Sequence, residues 1–329
     1  MSVLPSLKIL KVIIKNYIKE LDNLYAVAIC DRDGFIIASE FKEGEMNEEE
    51  SDSIIGAISA ILDNYVDRIK TEFGTEGNFF NITETGDKKF AFCSQGPNSI
   101  LTTVANQDIT DIELRVYSEH VAGKIELVLD GNEEVSPRIP EIIKALAKTR
   151  GGALPKMGGE YSNKLILTGD YSVGKTSLIK RFVENTFGKD YISTLGVQIS
   201  KKTINLSDTT IMNFIIWDIA GQITQLATYR GKFYNGANAA FIVIDRTRSG
   251  NLNSIEKWYN DIKKSIPKNI PLVIVGNKSD LTDQIVITEE EIKEVAKKFD
   301  FHYILTSAKT GENVNDAFLY IAYRVIELL

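Results

Sequence analysis

The spacing of apolar residues divides the first 130 positions into helices and strands. Apolar side chains recur at helical intervals over residues 7–21, and residues 24–30 and 34–40 predict two strands around the turn DRDG. The acidic stretch at 48–52 predicts the start of a helix that runs to about Phe73. Three further strands and a closing helix are predicted at 78–84, 88–94, 99–105 and 109–129. The predicted order is helix, two strands, helix, three strands, helix.

The second half of the chain alternates apolar strands with amphipathic helices. The predicted strands lie at 163–169, 203–206, 211–217, 239–245, 271–276 and 302–306. This alternation predicts a mostly parallel sheet covered by helices on both faces. Between the halves, residues 133–160 are predicted to form a linker with a short helix at 139–149 and a glycine-rich hinge, GGALPKMGGE. We therefore predict one domain over residues 1–132 and a second over residues 161–329.

Charge is distributed unevenly between the two halves. The net charge is −7; residues 1–160 hold 17 basic and 27 acidic side chains (−10), and residues 161–329 hold 21 and 18 (+3). Neither half has a basic tract, so nucleic acid is not an expected partner. The acidic excess predicts a solvated surface on the first half; a weaker alternative is that opposite charges help the halves meet.

Several features bear on where the chain works. It has no run of eighteen apolar residues and no secretory leader pattern, so no membrane-spanning or exported segment is predicted. Cys30 and Cys93 are predicted to be buried packing residues, typical of a reducing compartment. No cysteine lies near the C-terminus, so no direct lipid anchor is expected. We expect a cytoplasmic protein that reaches membranes, if at all, through partners.

The strand KLILTG leads into a phosphate-binding loop of the form G-x-x-x-x-G-K-T. Its glycines allow backbone N–H groups to face phosphate oxygens, and the following helix adds its N-terminal dipole. Lys175 is predicted to reach the β- and γ-phosphates, and Thr176 to give its hydroxyl to Mg²⁺. A chance glycine-rich loop is the alternative, and the flanking strand and helix argue against it. The predicted phosphate-binding residues are Gly169, Tyr171, Ser172, Val173, Gly174, Lys175, Thr176 and Ser177.

Two later motifs complete a resemblance to the Ras superfamily, most closely its Rab branch, over residues 161–329. They are NKSD at 277–280 and TSAK at 306–309. The resemblance implies that Asp280 accepts two hydrogen bonds from guanine, which adenine cannot offer, and that an ATPase is disfavoured. It also implies that the Ala308 N–H meets the guanine carbonyl. The implied base-binding residues are Asn277, which braces the loop, Lys278, whose stem covers the base, Asp280, Ser307, Ala308 and Lys309.

The segment WDIAGQ at 217–222 resembles the family's second switch. The resemblance implies that Asp218 holds a Mg²⁺-bound water, that the Gly221 N–H approaches the γ-phosphate, and that Gln222 orients the attacking water. Upstream, Thr194 is implied to be a second hydroxyl ligand of Mg²⁺. Phe187 stands where the family packs an aromatic against guanine, or it is an ordinary apolar contact. The implied catalytic residues are Gln222 and Lys175.

These parts imply a molecular switch that binds GTP or GDP with Mg²⁺ and hydrolyses GTP slowly without an activating protein. Loss of the γ-phosphate would release both switch loops. Effectors, exchange factors and activating proteins are implied as partners. Tyr171 departs from the family, which usually has a small residue there, and we expect it to slow hydrolysis. The alternative is a GTP-binding scaffold with little turnover.

The first domain resembles the roadblock (LC7) family through its element order and the pattern around DRDGFIIAS. A related longin domain opens with strands, whereas this domain is predicted to open with a helix. The resemblance implies homodimerisation or association with another protein, and regulation of the GTPase. The combined prediction is an α/β P-loop GTPase domain with a mostly parallel sheet, preceded by an α+β roadblock-like domain.

Overall fold

The computed structural model describes residues 5–31, 33, 35–42, 79–94, 96–132, 135–150, 159–188, 194, 196–207, 210–221 and 231–328. The predicted helix at 48–73 and most of the glycine-rich hinge lie outside the described residues, as does Gln222. The chain divides into two compact units. Among the described helices, none is long and apolar enough to cross a membrane.

The first unit is built on a five-stranded antiparallel sheet with the strand order β2-β1-β5-β4-β3. Its elements are α1 (Pro5–Glu20), β1 (Leu24–Cys30), β2 (Ile36–Phe41), β3 (Phe79–Thr85), β4 (Lys88–Ser94), β5 (Ile100–Asn106), α2 (Asp111–Leu129) and most of α3 (Glu141–Arg150). Each predicted strand and helix that falls on described residues is present, within two residues of its predicted bounds.

Helices α1 and α2 pack against each other and against the sheet. The apolar stripe of α1 buries Leu10, Ile13 and Ile14, as its helical spacing predicts. Helix α2 begins where the Thr110 hydroxyl accepts a hydrogen bond from the Glu113 backbone N–H at 3.1 Å. This N-cap satisfies a backbone donor that the first turn leaves free.

The chain that follows α2 is fastened to the first unit. Lys124 is 3% exposed, and its ammonium donates to the carbonyls of Ser136 and Arg138, both at 2.6 Å. The Asn16 amide donates to the Pro137 carbonyl at 2.9 Å. Helix α3 therefore follows a segment that side chains of the first unit hold in place.

The second unit contains a six-stranded sheet with the order β11-β10-β9-β6-β8-β7. Only the β7–β8 pair is antiparallel among its described pairings, so the predicted mostly parallel sheet is confirmed. Its elements are β6 (Gly159–Thr168), α4 (Lys175–Glu184), β7 (Val197–Ser207), β8 (Thr210–Ile219), β9 (Ala239–Asp245), α5 (Gly250–Ser265), β10 (Leu272–Asn277), α6 (Glu289–Phe299), β11 (His302–Leu305) and α7 (Val314–Ile326).

Two strands start well before the positions that the sequence predicts. Strand β7 spans Val197–Ser207 because it pairs with β8 along almost its whole length, whereas its polar residues limited the prediction to 203–206. Strand β6 starts at Gly159, inside the predicted hinge, because Gly159 and Glu160 pair with the start of β8. Cross-strand pairing, which local composition does not reveal, sets both limits.

Apolar layers on the two faces of this sheet hold the strand ends in position. On one face Ile166, Ile242 and Ile274 pack with Trp258 of α5. Elsewhere in the unit the rings of Phe182 and Phe318 stack at 3.7 Å between centroids, joining α4 to α7. The carboxyl ends of parallel strands meet at one edge of a sheet, which is where open α/β sheets bind ligands.

Candidate functional site

The loop between β6 and α4 adopts a backbone that few residues other than glycine tolerate. Gly169 and Gly174 have φ of +141° and +99°. A Cβ at Gly169 would collide with the Val243 carbonyl, and one at Gly174 with the Asn277 side chain. The two glycines are therefore required by backbone conformation and by close packing.

Lys175 lies at the start of α4 with its ammonium folded back over the loop. It donates to the carbonyls of Gly169 and Asp170, both at 2.9 Å. Burial lowers its pKa to about 8, although the charges of Asp218 and Asp170 favour the protonated form. Both acceptors of the ammonium are neutral carbonyls. An anion bound against this loop would therefore pair with a buried cation whose charge is not otherwise neutralised by these bonds.

Three oxygen-bearing side chains converge beside Lys175. The hydroxyls of Thr176 and Thr194 are 2.8 Å apart, and both donate to Asp218 Oδ2, with Thr194 at 3.3 Å. Burial raises the pKa of Asp218, and the hydrogen bonds from Thr176 and the charge of Lys175 oppose that rise. Asp218 Oδ1 is buried and has no hydrogen-bond partner in the described structure.

This cluster fits a magnesium ion. Hydroxyl and carboxylate oxygens are ligands of the kind Mg²⁺ accepts, usually together with waters and substrate phosphates. The buried free oxygen of Asp218 is an acceptor that a metal-bound water could satisfy. No group of three or more His, Cys, Asp or Glu is arranged as a metal site within the described residues. An all-protein cage is thus not what this part of the chain offers.

Asn277 joins three loops at the carboxyl ends of the strands. Its amide donates to the Val173 carbonyl at 2.9 Å, and its side-chain oxygen accepts from the Ala308 N–H at 3.2 Å and the Thr306 hydroxyl at 3.3 Å. The phosphate-binding loop and the residues around Ala308 are thereby held to the end of β10. This is the bracing arrangement that the sequence predicts for Asn277.

The Asp280 carboxylate is 7% exposed and is oriented by its neighbours. Ser307 donates to Asp280 Oδ1 at 2.7 Å, and the Lys309 ammonium lies 3.8 Å from Asp280 Oδ2. Lys278 has φ of +67°, and its ammonium donates to Asp245 Oδ2 at 2.5 Å. The distal end of Lys278 is therefore anchored away from Asp280.

A cavity of about 550 Å³ lies among these loops. Most of the predicted site residues line it, namely Tyr171, Ser172, Gly174, Lys175, Thr176, Ser177, Phe187, Thr194, Gly221, Asn277, Lys278, Asp280, Ala308 and Lys309. Four others do not line it: Gly169, Val173, Asp218 and Ser307 bond to residues that do. Tyr171 and Phe187 are 42% and 40% exposed at its mouth.

The cavity also has lining residues that sequence reasoning missed, namely Lys180, Gly188, Val197, Gln198 and Leu281. All are close in sequence to predicted site residues, so widening each motif by a few positions would have included them. Supporting residues further away had no such signal. Asp170, for example, accepts from the Asn251 amide at 2.7 Å and from the Trp258 indole at 2.9 Å, contacts across more than eighty positions.

Comparison with known proteins assigns this unit to a family. The Ras family profile matches residues 164–327. The "Ras-related protein Rab-1" of Theileria annulata and that of Theileria parva are each 40% identical to the chain over 164 residues, which is 50% of this chain and 74% of either relative. The match spans the phosphate-binding loop, the Asn277–Asp280 loop and the cavity between them. The chain therefore belongs to the Ras family.

Proposed function

We propose that the chain is a Mg²⁺-dependent GTP-binding switch that hydrolyses GTP to GDP and phosphate. The observation that carries the proposal is the composition of one cavity. The buried ammonium of Lys175 and two hydroxyls that bond to the Asp218 carboxylate line one part of it, and the oriented Asp280 carboxylate lines another. The first group suits a phosphate chain with its metal, and the second suits a guanine base.

Lys175 and the loop before it would hold the phosphates. The ammonium now rests on two carbonyls, and phosphate oxygens would replace those weaker acceptors with charge-assisted bonds. The start of α4 directs its free N–H groups and positive dipole end to the same place. Both effects stabilise the negative charge that phosphoryl transfer redistributes.

Thr176 and Thr194 would hold Mg²⁺ directly, and Asp218 would hold it through water. Bound Mg²⁺ would neutralise charge on the β- and γ-phosphates. Asp218 keeps Oδ2 as the acceptor for both hydroxyls and leaves Oδ1 for the water. Thr194 belongs to the loop between α4 and β7, and its hydroxyl lies 2.8 Å from that of Thr176, so both hydroxyls are placed to share one ion.

Asp280 would select guanine, because its carboxylate can accept hydrogen bonds from N1–H and the exocyclic amine. Ser307 uses one oxygen of this carboxylate and fixes its orientation. Ala308 lines the same cavity, and its N–H, which donates to the Asn277 side-chain oxygen at 3.2 Å, would be shared between that oxygen and the guanine carbonyl. Lys278, held by Asp245, would keep its stem over the base plane.

Gly221 would sense the γ-phosphate. A Cβ at this position would collide with the Asp170–Tyr171 peptide, so only glycine allows the chain to pass so close to the phosphate-binding loop. Gln222 follows directly in sequence and would orient the attacking water. When the phosphate leaves, the contacts of Gly221 and Thr194 would be lost together, which is the switch.

We also propose that the first unit is a roadblock-like domain that dimerises or associates with another protein and regulates the GTPase. Support comes from the described order of helix, two strands, three strands and helix, and from the antiparallel sheet. Effectors, exchange factors and activating proteins would be further partners of the chain. We expect the protein to act in the cytoplasm.

Single-turnover GTP hydrolysis by the full-length chain with Mg²⁺ tests the main proposal. We expect GDP to form slowly, and Gln222→Leu to abolish that rate while leaving GTP binding intact. Removing Mg²⁺ with a chelator should stop hydrolysis and speed nucleotide release. If the chain binds GTP but leaves it intact for hours with or without Gln222, it is a GTP-binding scaffold. If it binds no guanine nucleotide, the proposal fails.

A further inference from the structure

Arg181 lies outside the cavity but bonds to one of its walls. It belongs to the last turn of α4 and is half-buried. Its Nε donates to the Ala308 carbonyl at 3.0 Å, and its Nη2 donates to the Lys309 carbonyl. Both acceptors are main-chain atoms of the loop after β11, about 127 positions away in sequence.

The same guanidinium also holds the end of its own helix. Nη1 donates to the Asn185 carbonyl and to the Asn185 side-chain oxygen, each at 3.1 Å. Asn185 ends α4 with φ of +52°, and the chain then turns toward Phe187, which lines the cavity. Arg181 therefore fixes the point from which the Phe187 wall leaves the helix.

One side chain thus connects two groups of cavity residues that come from distant parts of the chain. Phe187 belongs to one group, and Ala308 and Lys309 to the other. Ala308 is held from both sides, since its N–H donates to Asn277 and its carbonyl accepts from Arg181. The planar fork of arginine can reach several acceptors at once, which a lysine ammonium at the end of a flexible stem cannot.

We propose that Arg181 is a positioning residue for the guanine base and that it sets how long a nucleotide stays bound. By bonding to the carbonyl of Ala308 and to the end of α4, it would hold in place the two parts of the lining that contact the base. The inference rests on the proposed function, because it takes guanine as the occupant. It adds a specific role for a residue that does not line the cavity and belongs to none of the sequence motifs described above.

The test is the release rate of a fluorescent GDP from the full-length chain in Mg²⁺, for Arg181→Met and Arg181→Lys. We expect release to be about 10-fold faster for Arg181→Met, equivalent to about 1.4 kcal/mol. Arg181→Lys should give a smaller increase, because an ammonium can still reach one carbonyl. Hydrolysis of GTP that is already bound should keep its single-turnover rate, because Arg181 is remote from the phosphate end.

Arg324→Met is the matched control. Arg324 is also a helical arginine, and its Nη1 bonds to Glu327 at 2.7 Å rather than to the cavity loops. If Arg181→Met releases GDP at the wild-type rate, or if Arg324→Met accelerates release equally, the inference is overturned. The inference would also be overturned if Arg181→Met slowed single-turnover hydrolysis as much as it accelerated GDP release, since that pattern indicates a general loosening of the nucleotide site. Failure of the wild-type chain to bind GDP would instead refute the proposed function, and this inference with it.

Discussion

Asp245 shows how a residue that no motif contains can organise the nucleotide site. Its side chain is fully buried, and it accepts from Lys278 at 2.5 Å while the Arg248 guanidinium lies 3.3 Å away. Burial opposes its ionisation, but hydrogen bonds from Lys278 and Thr247 outweigh burial and hold its pKa below the usual range. Arg248 also donates to the Tyr171 carbonyl at 3.0 Å. Asp245 thereby links the base-binding loop to the phosphate-binding loop.

Tyr171 is expected to slow hydrolysis by occupying space at the phosphate end. Its side chain lines the cavity, and its backbone N–H lies against Gly221, the residue before Gln222. Replacing Tyr171 by glycine should therefore raise the single-turnover rate of GTP hydrolysis about tenfold, a change of about 1.4 kcal/mol in the barrier.

Tyr171→Phe is the control for this prediction, because it removes the hydroxyl and keeps the ring. It should hydrolyse GTP at the wild-type rate if bulk is the cause. An unchanged rate for Tyr171→Gly would refute the idea, and a fast Tyr171→Phe would assign the effect to the hydroxyl.

Asp280 is expected to determine base specificity. An asparagine here would present one donor and one acceptor, which matches xanthine rather than guanine. Asp280→Asn should weaken GTP binding about 100-fold, since hydrogen bonds to charged groups contribute about 1.5–3 kcal/mol each. It should strengthen binding of xanthosine triphosphate. Ser307 can still donate to the remaining oxygen, so the fold should survive.

Competition of both nucleotides for each protein measures this exchange of preference. Ser307→Ala provides a comparison, because it removes the bond that orients Asp280 without changing the base code. It should weaken GTP binding and leave the preference for guanine intact. If Asp280→Asn kept its preference for GTP, the assignment of Asp280 to the base would be wrong.

At the scale of elements, local patterns predicted most of what the structure describes. The phosphate-binding loop was predictable because its chemistry lies within eight consecutive residues between a strand and a helix. Strand order was harder to predict, because the position of β6 between β8 and β9 depends on pairing between residues 51 and 74 positions apart. The roles of Arg181 and Asp170 depend on the same kind of long-range contact, and so sequence reasoning missed them.

The packing of α7 on β11 creates an element-scale dependence on pH. His302 lies on β11 with its ring 5.1 Å from that of Tyr320 on α7. Burial lowers the His302 pKa and the charge of Arg324 lowers it further, while Asp300 opposes the shift. The unfolded chain therefore binds this proton more readily than the folded chain, so stability is lost as pH falls below about 6.5.

Thermal unfolding of the full chain between pH 7.5 and 5.5 measures this dependence. We expect the melting temperature to fall toward pH 5.5 in the wild type and to fall less in His302→Phe, which keeps an aromatic ring but cannot bind a proton. His120→Phe serves as the comparison, since His120 is the other histidine of the chain. Parallel curves for wild type and His302→Phe would contradict the prediction.

At the scale of the whole molecule, the chain combines two compact units with different sheet types. The antiparallel sheet of the first unit brings no nucleotide-binding motif, and the second unit carries the whole cavity. The proposed roles divide in the same way: the second unit would bind and hydrolyse nucleotide, and the first would control assembly. Testing the role of the first unit requires a fragment whose last residue is chosen so that the fragment folds.

The bonds of Lys124 indicate where that cut belongs. A fragment of residues 1–132, which the sequence alone suggests, removes the carbonyls of Ser136 and Arg138 and leaves the buried ammonium without these two acceptors. A fragment of residues 1–152 keeps them, together with α3.

Because hydrogen bonds to a charged group contribute about 1.5–3 kcal/mol each, the shorter fragment should be less stable by at least about 3 kcal/mol. Urea denaturation of both fragments measures the difference, and equal stabilities would show that the segment is dispensable. Lys124→Met in both fragments should reduce the difference between their free energies of unfolding, because a methionine has no charge that needs the carbonyls of Ser136 and Arg138. Sedimentation of the 1–152 fragment then tests assembly: a dimer at micromolar concentration supports the proposed role, and a monomer at high micromolar concentration counts against it.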